Sequence, residues 1–119
     1  MLDSIERTQE LLRVPVAKRK VAWARLLCEA GRDVYLDVWA YSLLNSDVQP
    51  AVLKLYDDAI DAFRNLLQTD VSDIERGELR DFLGNAVFRR EDLANNYLNG
   101  KSPELVTKDR IKALRAEVS

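Results

Sequence analysis

The chain has no histidine, and Cys28 is its only cysteine among 119 residues. The missing imidazole removes the commonest general base at neutral pH. It also excludes a Ser-His-Asp or Cys-His nucleophile site, histidine phosphotransfer, and the Glu-x-x-His di-iron centre of helical bundles. With one thiol and no imidazole, a structural zinc site lacks ligands and no internal disulfide can form. Four glycines, at 31, 77, 84 and 100, build no phosphate-cradling loop. No calcium-loop spacing is present. No cofactor is expected. Four glycines and three prolines are also few turn-formers for an all-β chain.

Long apolar runs are absent too. The longest hold four residues, such as Val38 to Tyr41, too few for a membrane span. The opening "MLDSIERTQE" has no apolar signal core, and with the lone cysteine it sets a cytoplasmic location as the expectation.

What is present fits one globular domain over residues 1–119, with 47% apolar and 32% charged residues. The net charge of −2 is unevenly spread. Residues 57–81 hold eight acidic and three basic groups, a net −5, between flanks of +1 and +2. Such a block favours basic partners and disfavours nucleic acid.

Apolar periodicity runs along most of the chain. Leu2, Ile5 and Leu12 mark a short amphipathic helix that Pro15 ends. From Val16 to Leu44 there is neither proline nor turn cluster. Within this span "DVYLDVWAYSLL", residues 33–44, alternates well enough to be a strand, with Asp33, Tyr35, Asp37, Trp39 and Tyr41 on one side. The preceding "VAWARLLCEA" favours helix, and the only strand partner on offer is the short "NAVF", residues 85–88, so a long helix is expected. Gly31 then lies mid-helix, as a kink, a break or a place of close packing. Glu29, Asp33 and Asp37 fall four apart along its wet edge.

Ser46 with Gln49 fits a capping box, and Pro50 suits the first turn behind it. Val52, Leu55, Tyr56, Ala59, Phe63, Leu66 and Leu67 give the cleanest apolar face, with Asp57, Asp58, Asp61 and Asn65 opposite. Ser72 and Glu75 repeat the capping-box spacing, and Leu79, Phe82, Leu83, Ala86, Leu93 and Tyr97 form one stripe behind them. Asn99-Gly100 closes that helix, and Ser102 with Pro103 opens a last, basic one over 103–119. The expected fold is all-α: an irregular bundle of five or six helices around a long central second helix, with 103–119 peripheral.

Function is then read from charge and from missing chemistry. The expectation is a non-enzymatic protein-binding module: an inhibitor, a neutraliser of immunity or antitoxin type, or an adaptor. Its partner would be a protein with a basic surface, met through Asp57, Asp58, Asp61, Asp73, Glu75, Glu78 and Asp81, since complementary charge speeds association. Asp33, Asp37, Tyr35 and Trp39 are a second candidate surface, tyrosine and tryptophan being enriched at binding hot spots. The blander reading sets the carboxylates on solvated faces and the aromatics in the core.

The alternative is a nucleic-acid-associated helical protein using residues 13–25 and the basic last helix. Lys18, Arg19 and Lys20 point in three directions on a helix, so they make no continuous stripe, and nucleic acid is not the expected partner. A third class, an enzyme built on a carboxylate-held metal, is weakened by the missing histidine. Cys28 lies on an apolar stretch without an activating neighbour and reads as an inert core thiol.

Overall fold

In a computed structural model, the structure describes residues 2–41 and 49–95, with side chains over 3–38 and 50–95. Four α-helices account for most of them: α1 (Leu2–Leu12), α2 (Val21–Tyr41), α3 (Gln49–Leu67) and α4 (Asp73–Leu93). Among the described residues there is no strand, which settles residues 33–41 as helix. The Ser46–Gln49 cap, Tyr97, the Asn99-Gly100 closure and the basic segment 103–119 lie outside the described residues.

The long helix begins later than the sequence suggests. Residues 16–18 form a single 3-10 turn, and α2 starts at Val21. Arg19 supplies the reason. Its guanidinium donates to the carbonyls of Leu12 at 2.9 Å and Val14 at 3.0 Å. It also stacks on the Trp23 ring, 4.6 Å from the centroid. These contacts fold the chain back over the end of α1, using carbonyls that a helix end leaves unpaired.

Gly31 does not break α2, which runs continuously through it. An added Cβ there would meet Tyr56 Cε1 at 3.9 Å, an ordinary contact. Where α2 crosses α3, the Tyr56 hydroxyl donates to the Gly31 carbonyl at 2.6 Å.

Interhelical bonds fix the directions. Trp23 Nε1 donates to the Leu11 carbonyl at 2.8 Å and Ser4 Oγ to Asp37 Oδ2 at 2.6 Å, so α1 and α2 run antiparallel. Asp57 meets Arg90 at 3.0 Å, and the Phe63 and Phe82 rings sit 6.0 Å apart, so α3 and α4 are antiparallel as well. Arg25–Glu78 and Tyr35–Asp92 join α2 to α4 at successive levels, so those two are parallel. The shared core takes Leu27, Val34 and Val38 from α2, Val52 and Phe63 from α3, and Leu79, Leu83 and Leu93 from α4. The capping box foreseen at the start of α4 is present. Ser72 Oγ accepts from the Glu75 N–H at 3.2 Å, and the Glu75 carboxylate accepts from the Ser72 N–H at 3.1 Å.

Candidate functional site

The acidic residues singled out above do not form one surface. The spacing that places Asp33 and Asp37 on one edge of α2 turns that edge toward α1. Asp33 pairs with Arg7 and lies 3.9 Å from Arg32, while Asp37 accepts from the Ser4 hydroxyl. Tyr35, two residues from each, faces the other way and donates to Asp92 on α4 at 2.6 Å. The stretch 33–37 is therefore divided between two helix seams. The side chain of Trp39 lies outside the described residues.

The stretch 57–81 is divided by task. Asp57 pairs with Arg90 across the α3–α4 seam, and Asp58 with Lys54 one turn earlier at 3.1 Å. Glu75 belongs to the capping box. Glu78 meets Arg25 at 2.6 Å and holds the arginine still more firmly protonated. Asp61, Asp73 and Asp81 are exposed, and among the described residues their side chains make no hydrogen bond or ion pair. Asp73 still has a structural role, because a carboxylate in the first turn of a helix meets the positive end of its dipole. Asp61 and Asp81, mid-helix, have none that the structure reveals.

A cavity beneath Gly31, bounded by Thr8, Cys28, Tyr56, Phe63 and Arg89, leaves ≈10 Å³, the limit for one water. Burial pushes the Cys28 thiol up in pKa, although Arg89 Nη1 approaches its carbonyl at 3.4 Å and its sulfur at 4.0 Å. Burial likewise pushes the Tyr56 hydroxyl up. Both groups are thus held protonated, the opposite of what a nucleophile needs. Among the described residues no three carboxylates or thiols are placed to hold a metal ion, and no helix is long and apolar enough to cross a membrane.

Sequence reasoning missed three polar side chains that the fold engages. Ser4 and Thr8 are buried on α1, Thr8 Oγ1 donating back to the Ser4 carbonyl at 2.8 Å. A signal existed: both share the face of Ile5, and hydroxyls at i, i+4 on an apolar face are suited to meet a polar partner. Arg19, one of the three cations whose helical spacing gives no continuous stripe, is the clamp over Trp23. The chain matches no family model, no curated protein and no solved structure.

Proposed function

We propose that the chain is a non-enzymatic helical binding module that presents the outer sides of α3 and α4 to a basic surface on another protein. It would act as an inhibitor, a neutraliser of immunity or antitoxin type, or an adaptor. The observation that carries this reading is the exposure of Asp61 and Asp81, unpaired among the described residues, on helices whose opposite sides already fill the core. Asp57 and Asp58, in exposed pairs, and Asp73 flank them. Exposed pairs are worth little to the fold, so their carboxylates can exchange partners at small cost. The same proposal keeps α2 as the central element of a five- or six-helix array, a count that includes residues 103–119, and a cytoplasmic site of action.

The test is kinetic. The partner is isolated from the native cell with wild-type chain as bait, using Asp57→Asn/Asp58→Asn/Asp61→Asn as the control bait. Association rates are then measured for both proteins at two salt concentrations. Wild type should associate faster, and the gap should narrow at high salt, because charges are screened over about 8–10 Å at physiological ionic strength. Equal rates at low salt would reject the acidic surface.

A further inference from the structure

One side of α2 is left uncovered by the other described helices. Ala22, Leu26, Glu29, Asp33 and Leu36 recur at alternating steps of four and three, which puts them in one line along the helix. The opposite side, with Leu27, Val34 and Val38, fills the core. On the outer line Leu26 is 54% exposed and Leu36 52%. Ala22 and Glu29 are exposed as well, and the Glu29 side chain makes no hydrogen bond or ion pair among the described residues. Beside Leu36 lies an open groove lined by Asp3, Asp33 and Asp37 against Arg7, a net −2. Exposed apolar residues at this spacing around a free carboxylate make half of a helix–helix seam.

The chain itself supplies a match. Tyr35 bonds to Asp92, so α4 ends at the Leu36 end of this line, and Asn95 is the last described residue. Residues 96–119 continue from that end and carry Lys101, Lys108, Arg110, Lys112 and Arg115 against Glu104, Asp109 and Glu117, a net +2. Behind Ser102-Pro103, the residues Thr107, Ile111, Leu114 and Val118 repeat the steps of four and three, with Arg115 between the last two. Residues 96–102 can span up to ~23 Å, about twice the width of a helix. A helix over 103–119 is ~25 Å long, and Leu26 and Leu36 lie ~15 Å apart along α2. The line exposes two leucines and an alanine, little beside the roughly 800 Å² per partner that a stable interface between separate molecules buries. A tethered segment needs less area, because its effective concentration reaches the millimolar range.

We infer that residues 103–119 form a helix that folds back antiparallel along the outer side of α2. Ile111, Leu114 and Val118 cover Leu36 and Leu26, and Arg115 meets Glu29. This side of α2 is then closed to other molecules, which leaves the outer sides of α3 and α4 for recognition. The inference rests on the proposed reading only for the added helix over 103–119, not for the acidic surface.

The full chain is studied by NMR with its Ile, Leu and Val methyl groups labelled. Carbon shifts over 103–119 should report helix, and nuclear Overhauser cross-peaks should join the methyls of Ile111, Leu114 or Val118 to those of Leu26 and Leu36. In a mixture of labelled and unlabelled protein, these cross-peaks should arise within one copy and not between copies. Glu29→Arg should lower amide-exchange protection over 111–118 by about two- to fivefold, the range of an exposed pair, and adding Arg115→Glu should restore it. A helix over 103–119 without these cross-peaks, cross-peaks only between copies, or protection unmoved by Glu29→Arg overturns the inference. Absence of helix over 103–119 overturns it too, and also removes that helix from the proposed array. None of these outcomes touches the acidic surface, which the salt dependence of association decides separately.

Discussion

The two antiparallel seams of this protein are built from different chemistry. Between α3 and α4 the buried contact is apolar, Phe63 against Phe82 with Leu66, Leu79 and Leu83 buried around them, and the Asp57–Arg90 pair stands at its exposed edge. Between α1 and α2 much of it is polar: Ser4 on Asp37, Arg7 on Asp33, and Trp23 on the Leu11 carbonyl. An apolar seam gains from area removed from water and tolerates changes on its outer side. A polar seam gains from matched partners, and removing one leaves the other unsatisfied. The same residue type therefore has opposite roles in the two halves. Asp37 ties helices together, whereas Asp61 and Asp81 make no such tie among the described residues.

The contrast breaks most visibly at Phe63, which is 1% exposed. Phe63→Ala should cost about 3–5 kcal/mol, enough to unfold a marginal domain, as read from denaturant midpoints. A small shift would mean that the apolar seam is not what holds α3 and α4 together.

On the polar seam, Ser4→Ala should cost about 1–2 kcal/mol by the same measurement. Its cost should fall when Asp37 is also replaced by alanine, since the two substitutions remove one bond. Independent, additive costs would contradict the pairing.

Tyr56 sharpens the comparison from the middle of the molecule. Its hydroxyl is protonated in the fold and bonded to the Gly31 carbonyl, with a pKa above the ordinary 10.0 because of burial. A raised folded pKa makes the stabilisation complete below the unfolded value and lost as pH climbs past it. Stability should thus decline from pH 10.0 upward. Tyr56→Phe should cost about 1 kcal/mol at neutral pH and flatten part of that alkaline slope. An unaltered slope would assign the alkaline loss to other groups.

Gly77 tests the outer side of α4. An added Cβ there meets nothing within 4 Å. Gly77→Ala should raise stability by about 0.8–1 kcal/mol through helix propensity alone. The smallest effect belongs to Arg7→Gln. Its ion pair with Asp33 is more than a third exposed on both sides, so screening should hold the loss to a few tenths of a kcal/mol, within about 0–1.

The apolar frame was legible in the sequence because periodicity reports which side of a helix is dry. Val52, Leu55, Tyr56, Ala59, Phe63 and Leu66 are all buried as the spacing predicts, and Ser72–Glu75 caps α4 as its pattern predicts. Periodicity does not report partners. Nothing local distinguishes Asp37, bonded to a serine 33 residues away, from Asp61, bonded to nothing among the described residues. The even charge count also hid Arg19, whose role depends on a tryptophan and two carbonyls brought near only by the fold. The −5 of residues 57–81 was read correctly as a sum. As a surface it is smaller, because Asp57, Asp58, Glu75 and Glu78 all have partners.

The claim that matters most is the separation of carboxylates that hold the fold from carboxylates free to meet a partner. It is tested most directly by denaturant unfolding of Asp37→Ala beside Asp61→Asn/Asp81→Asn, measured in one buffer against wild type. The double variant should stay within about 0.5 kcal/mol of wild type per site, as for ordinary surface changes, while Asp37→Ala loses about 1 kcal/mol or more. A double variant that loses as much as Asp37→Ala would show that Asp61 and Asp81 also serve the fold, and would remove the ground for assigning them to recognition.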